Sequence, residues 1–261
     1  LACHLVTLET SEGGVEMMRD PAGGHPPATE ARQIFLDVGR ALGRDGLEFH
    51  PGHGPRGVLV WRKGDNHVRT TPPHDVTGKP VLGAFPEGPG SEVVRDLIER
   101  SRAVLAEHPL CQARLARGEG APTAIWLWGQ GTLPTLPPFA QRFDVTGAVV
   151  AANDLAAGLG LLAGLERVSL PGAGDDPESE CRSASEAGLR ALETHDLVFV
   201  HVEATAECGR RGDAAAIDAW RPALAALYDT FGPRCGDHLH AARSIWPAES
   251  RRNAVLEMLE L

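Results

Sequence analysis

A chain of 261 residues with 43% hydrophobic and 23% charged side chains is globular, and long enough to bury a core in one large domain or two small ones. A formal net charge of −10 argues against a nucleic-acid backbone or an anionic membrane as a general partner, and no apolar run approaches the roughly 20 residues that span a bilayer. Cys3, Cys111, Cys181, Cys208 and Cys235 are scattered without CxxC spacing, and their odd number argues against a secreted disulfide framework and predicts free thiols in a cytoplasmic protein.

In chain order, LACHLVTLET alternates apolar and polar residues, so the chain opens in a strand. Behind Thr29 and Glu30, apolar residues at Ala31, Ile34, Phe35, Val38 and Leu42 predict a helix that stops at Gly43. Two short strands follow, Leu47 to His50 and Gly57 to Arg62, joined by a Gly/Pro turn. Thr70 to Pro89 reads as loop. Glu92 to Glu107 is a helix, with Val93, Val94, Leu97, Ile98 and Leu105 on its apolar face and Ser91 as its cap. From Val145 the pattern becomes alternating strand and helix, through TGAVVAANDLAAGLGLLAGL, VSLPG, a helix around Ser183 to Glu193 and a strand from Leu197 to Val202, which implies parallel pairing. A last helix runs from Asp213 to Tyr228, with Pro222 as a kink. The abundance of Ala, Gly, Arg and Pro, with Lys63 and Lys79 the only lysines, is the bias of a GC-rich genome such as an actinomycete's.

The strand from Leu197 has the β-branched and aromatic content of a buried parallel strand, and it turns polar at His201 and Glu203. Ligands of open α/β sheets sit outside the carboxyl ends of the strands, so the loop from Glu203 to Asp213 is where chemistry is expected.

This strand and loop, VHVEATAECGRRGD, resemble those of the archaeal-type cofactor-independent phosphoglycerate mutases of the alkaline phosphatase superfamily, with matches at His201, Val202, Glu203, Ala204, Glu207, Gly209, Gly212 and Asp213. The resemblance continues in collinear order through LVTLE at 5–9, MRDPAGGHP at 18–26, HPGHGPRGVLVWR at 50–62, TPPHDVTGKP at 71–80 and IWLWGQG at 125–131, and reaches Asp237 and His238. It implies an α/β fold: an inserted α+β substrate-binding domain over residues 1–126 and a truncated alkaline-phosphatase-type parallel-sheet core over residues 127–261. Family members carry a further half-domain before LVTLE, with a nucleophilic Ser or Thr. The resemblance therefore implies a second polypeptide that completes the N-terminal part of the sheet, a homodimer being the alternative.

Where the family's loop binds metal through an Asp and a His, this chain has Ala206 and Arg210. A methyl cannot coordinate a cation and a protonated guanidinium repels one, so no metal and no other cofactor is expected. Asp237, His238 and His240 read either as a remnant metal site or as polar neighbours lining an old cavity. His25, Arg56 and His74, in the substrate-side loops, suit an anion, because Arg binds phosphate or carboxylate bidentately and His can charge near neutral pH; solvated loop residues are the alternative. Trp126 and Trp128 share a strand face as packing, Gln130 is a candidate substrate contact, and Asp154 is either a helix cap or a polar group in the cleft.

The function expected on these grounds is a metal-independent, phosphoglycerate-mutase-like enzyme of secondary metabolism that holds a small anionic phosphate or sulfate ester. It would promote intramolecular displacement of the leaving group, for example an amine closing to an aziridine. Glu203, His201 or Asp237 would act as base, and Arg210 and Arg211, with His238, would receive the leaving anion. The alternatives are one half of a split phosphoglycerate mutase or phosphatase, and a non-catalytic binding subunit.

Overall fold

The alternation of the first ten residues forms β1 (Ala2–Thr10), the strand on which the N-terminal half of the chain is built. The computed structural model describes residues 1–170, 177–202 and 213–235. The chain divides into two compact units, Leu1–Leu133 and Pro134–Leu261.

In the first unit, β1 pairs antiparallel with β2 (Glu16–Asp20), β4 (Arg56–Trp61) and β5 (Ala124–Trp128), and β3 (Leu47–Pro51) pairs with β4. The period of two divides these strands between two cores. Cys3, Leu5, Leu59, Ile125 and Leu127 pack with Ile34, Phe35 and Val38 of α1 (Ala28–Leu42) and with Leu97 and Ile98 of α2 (Ser91–Ala106). A third helix, α3 (Pro109–Ala116), follows α2. The opposite face gathers Val6, Leu8, Met18, Ala124 and Trp126 under Val76, Val81 and Ala84. The predicted loop at 70–89 therefore contains the lid of a second core, with short 3-10 turns at Pro73–Asp75 and Leu82–Ala84. Trp126 is fully buried there, and its Nε1 donates to the carbonyl of Thr71 at 2.8 Å. Buried Ser101 joins the layers: its hydroxyl donates to Ile98 O and accepts from the Ile125 amide at 2.9 Å.

Two predicted helix starts differ. Ser91 is the first residue of α2, and the N-cap is Gly90 at φ 79°, with no side-chain cap bond. A Cβ at Gly90 would lie 3.0 Å from the Trp61 ring, so close approach selects glycine where a capping hydroxyl was expected. Likewise α1 starts after Pro27 without a side-chain cap.

The second unit has α4 (Phe139–Phe143), β6 (Gly147–Ala151), α5 (Asp154–Leu162), β7 (Glu166–Val168), α6 (Pro177–Ala191), β8 (Leu197–His201) and α7 (Ala214–Cys235). Its three strands are parallel in the order β7-β6-β8, as the alternation of strand and helix requires. The chain is therefore α/β, with an antiparallel sheet in one unit and a parallel sheet in the other. Val149 and Ala151 of β6 pack with Ala157 of α5, and Val150 packs with Ala184 and Ala187 of α6.

The expectation that β8 is buried on both faces is corrected. Val198 and Val200 turn inward, while Leu197 is 38% and Phe199 46% exposed. The physical reason is position: among the described residues β8 is an edge strand, and α5 packs on β6 and β7. Helix α7 also runs past the predicted end at Tyr228, continuing through Pro222 to Cys235. Among the described residues no helix is long and apolar enough to cross a membrane.

Because Trp126 fills the second core and Val58 lies 47% exposed on the same sheet, Trp126→Ala is expected to lower unfolding free energy by about 3–5 kcal/mol and Val58→Ala by less than about 0.5. Urea titration followed by circular dichroism measures both, and similar losses would show that this face is not packed as described.

Candidate functional site

Register in the first sheet brings together residues far apart in sequence. His4 of β1 is the direct antiparallel partner of Arg56 on β4 and of Trp126 on β5. Opposed residues share a face, so His4 and Arg56 stand side by side, and Trp128, two residues beyond Trp126, points the same way. The His4 ring meets the Trp128 indole edge-on, with centroids 5.4 Å apart and planes at 85°. From the Pro73–Asp75 turn, His74 meets the same indole at 5.5 Å and 84°. Trp128 Nε1 is buried and has no hydrogen-bond partner among the described residues. Thr70 secures this end of β5: its hydroxyl donates to Gln130 Oε1 and accepts from the Gly129 amide at 3.1 Å.

His4 is electrostatically unlike its neighbours. Burial, then the nearby Arg56 and His74, push its pKa from 6.5 down to about 4, against a hydrogen bond to the backbone of Pro21 that works the other way. His4 is therefore neutral at physiological pH.

Pro21 opens the loop that carries His25. Asp20 organises this loop by accepting from the Ala22 amide at 2.8 Å and the Gly24 amide at 2.7 Å. Gly23, Gly24 and His25 follow with φ of 63°, 78° and 52°. A left-handed histidine is strained and needs surrounding structure to hold it. That support is Arg114, 5% exposed, whose Nη2 donates to Gly24 O at 2.9 Å, Nε to Gly120 O at 2.8 Å and Nη1 to Glu30 at 3.0 Å. The two loops touch so closely that a Cβ on Gly24 would lie 2.2 Å from the Gly120 carbonyl carbon. His25 itself lies 3.7 Å from the Asp20 carboxylate and is half exposed.

Of the sequence-predicted residues, Arg56 and His74 thus converge around His4 and Trp128. The His25 loop meets this cluster through Pro21, and Gln130 is held by Thr70 beside the end of β5. In the second unit, Asn153 caps α5 by accepting from the Leu155 and Ala156 amides, which leaves Asp154 in the first turn, 3.8 Å from Arg167. His201 ends β8 opposite Ala151; its Nδ1 is buried without a partner among the described residues, and its ring stacks on Phe199 at 6.4 Å. Glu203, Arg210, Arg211, Asp237 and His238 lie outside the described residues.

Sequence reasoning missed His4 and Arg114. His4 carries a faint signal, a histidine at the alternation position of Val6, whereas nothing local marks Arg114, whose partner Gly24 is 90 residues away. Among the described residues no group of three or more His, Cys, Asp or Glu is placed to hold a metal ion. Ala206 and Arg210 offer a methyl and a cation, neither of which can coordinate a divalent metal, and both lie outside the described residues.

The depressed His4 pKa fixes a sign. Between pH 6.5 and about 4 the unfolded chain binds the proton that the folded chain refuses, so this contribution is complete above pH 6.5 and is lost as pH falls toward 4. Its full size is roughly 3 kcal/mol. Urea midpoints measured across this window are expected to fall less steeply for His4→Asn than for the unmodified chain, and equal slopes would show that His4 does not titrate there.

Comparison with known proteins places this geometry. Residues 1–111 match the family model of 2,3-bisphosphoglycerate-independent phosphoglycerate mutase. A probable mutase of that kind from Geobacter sulfurreducens is 37% identical over 210 residues, covering 80% of this chain and 52% of the relative. The mutase of Methanosarcina barkeri is 37% identical over 213 residues with the same shares. That of Methanopyrus kandleri is 30% identical over 295 aligned positions, 99% of this chain and 68% of the relative. A solved structure from Pyrococcus horikoshii shares the fold at 17% identity and a TM-score of 0.57, over 88% of this chain and 54% of that one. The chain spans about half the length of the first two relatives.

These matches overturn the expected leaving-group displacement and aziridine closure. That expectation rested on two replacements in one loop, Ala206 and Arg210, whereas likeness to phosphoglycerate mutases extends over most of the chain. Losing ligands changes what a loop can bind and does not specify a new reaction. The chain belongs to the 2,3-bisphosphoglycerate-independent phosphoglycerate mutase family.

Proposed function

We propose that this chain is the substrate-holding part of a phosphoglycerate mutase, and that the open face of its first unit receives the anionic groups of phosphoglycerate. The observation that carries this reading is the cluster around Trp128, where Arg56 and His74 gather on one sheet face of a chain from this family. Arg56 supplies a fixed cation with a bidentate fork, and His74, about half exposed, offers ring nitrogens for hydrogen bonding. His25 lies on a loop fixed by Arg114, and Gln130 accepts from the Thr70 hydroxyl. In this reading the first unit is the inserted substrate-binding domain and the second is part of an alkaline-phosphatase-type core.

Phosphoryl transfer also needs a nucleophile and groups that stabilise the developing charge. In the second unit His201, Glu203 and Asp237 are the candidate proton-handling groups, and Arg210, Arg211, His238 and Asp154 the candidate polar contacts of the transferred group. We assign the remaining machinery to a second polypeptide that completes the parallel sheet. One observation supports this: among the described residues β8 presents Leu197 and Phe199 outward. Bare apolar surface at a strand edge is a pairing site.

Calorimetric titration of the chain with 3-phosphoglycerate tests the anion face. Arg56→Ala is expected to weaken binding by about 10- to 150-fold, the equivalent of roughly 1.5–3 kcal/mol for a hydrogen bond to a charged group. Unchanged affinity would remove Arg56 from the site. Light scattering tests the partner: a one-to-one complex with a polypeptide covering the rest of a relative's length is expected, and a homodimer or a stable monomer that ignores that polypeptide would overturn the assignment.

A further inference from the structure

Arg114 sits on α3 and is 5% exposed, and its guanidinium joins three other segments. Nη2 donates to Gly24 O at 2.9 Å in the loop after β2, Nη1 to Glu30 at 3.0 Å in the first turn of α1, and Nε to Gly120 O at 2.8 Å in the turn before β5. Glu119 adds a second carboxylate, 3.1 Å from Nη1. Two carboxylates neutralise the buried charge, and the bonds to the two carbonyls fix the backbone of Gly24 against the turn at Gly120.

The loop held in this way ends in a strained residue. Gly23, Gly24 and His25 have φ of 63°, 78° and 52°, and glycine would hold the last of these positions at less cost than histidine. The loop backbone is closely packed: a Cβ on Gly23 would lie 2.9 Å from Leu5 O of β1, and one on Gly24 2.2 Å from the Gly120 carbonyl carbon. The imidazole is less confined. It is half exposed, and its partner Asp20, at 3.7 Å, already accepts from two amides of the loop. The contact at Leu5 lies one residue along β1 from His4, which stands opposite Arg56.

We infer that Arg114 is a positioning residue of the anion site: it clamps the loop 20–25 so that the His25 imidazole is set to hydrogen-bond an anionic group of the ligand, while Arg114 itself touches no ligand. The inference rests on the reading of His25 as a contact of the anion site and adds the residue that sets its place. A loop free to leave the left-handed conformation would move the ring, and binding would then carry the cost of ordering it. The affinity lost with Arg114 is therefore the affinity that His25 supplies.

A double-mutant cycle read by calorimetric titration of the full chain with 3-phosphoglycerate tests this. His25→Gly removes the ring and accepts the left-handed backbone. It is expected to keep or raise the urea midpoint of the unmodified chain while binding about tenfold more weakly, the worth of one hydrogen bond. Arg114→Lys keeps a cation beside Glu30 and Glu119 but loses the fork, and a loss of similar size is expected. The double variant is expected to bind within about twofold of either single one, whereas independent losses would multiply to about a hundredfold. If Arg114→Lys does not fold, Gly120→Ala, whose Cβ would meet Gly24 Cα at 2.8 Å, disturbs the same loop from the other side and completes the cycle. Losses that multiply, a His25→Gly chain that binds like the unmodified one, or a lowered midpoint for His25→Gly each overturn the inference. If Arg56→Ala still weakens binding in that case, the anion reading stands. Failure of the unmodified chain to bind 3-phosphoglycerate overturns the anion reading and this inference together.

Discussion

The register of β1 between β4 and β5 is the constraint on which the first unit depends. It places His4 opposite both Arg56 and Trp126, and the same pairing sends Cys3 and Leu5 into the helical core and Val6 and Leu8 into the other. A slip of one residue would exchange the faces, burying His4 among the leucines of α1 and α2 and exposing Leu5. Two apolar cores of different composition make that slip costly, and site geometry is a by-product of core packing. Mutations that shift this register would therefore damage stability and ligand binding together.

Within this frame the site combines groups that oppose one another. Arg56 and His74 stand beside His4 on this face, and burial together with these two neighbours lowers the His4 pKa. The loop from Pro21 to His25 has a comparable tension, with a left-handed histidine held in place by a buried arginine that uses backbone carbonyls and a carboxylate as acceptors. A buried guanidinium without such partners would be strongly destabilising, so Arg114 and the loop stabilise each other. Strain and desolvation are thus concentrated in a few residues, with ordinary packing around them.

The second unit follows a different logic. Its strands are parallel, α5 lies on β6 and β7, α6 packs on β6, β7 and β8, and the outward face of β8 is apolar and partly exposed among the described residues. Among the described residues three parallel strands form this sheet, and Leu197 and Phe199 stand partly exposed on one of its faces.

The sequence by itself determined the order and type of most elements, because periodicity and turn chemistry are local: the strand of Ala2–Thr10, the apolar stripe of α1, and the parallel alternation beginning with β6 were all legible. It also determined the family, through strings such as IWLWGQG, and the unsuitability of Ala206 and Arg210 as ligands, which is a property of side-chain chemistry alone. Only tertiary structure brought His4 beside Arg56 on one neighbouring strand and Trp128 on another. Only tertiary structure showed that Gly90 is the N-cap of α2, that β8 is an edge among the described residues and that Arg114 holds a loop 90 residues away. The physical reason is common to all of these: burial, desolvation and close approach are properties of neighbours in space, and an apolar run such as Leu197–His201 has the same local pattern whether or not another element covers it.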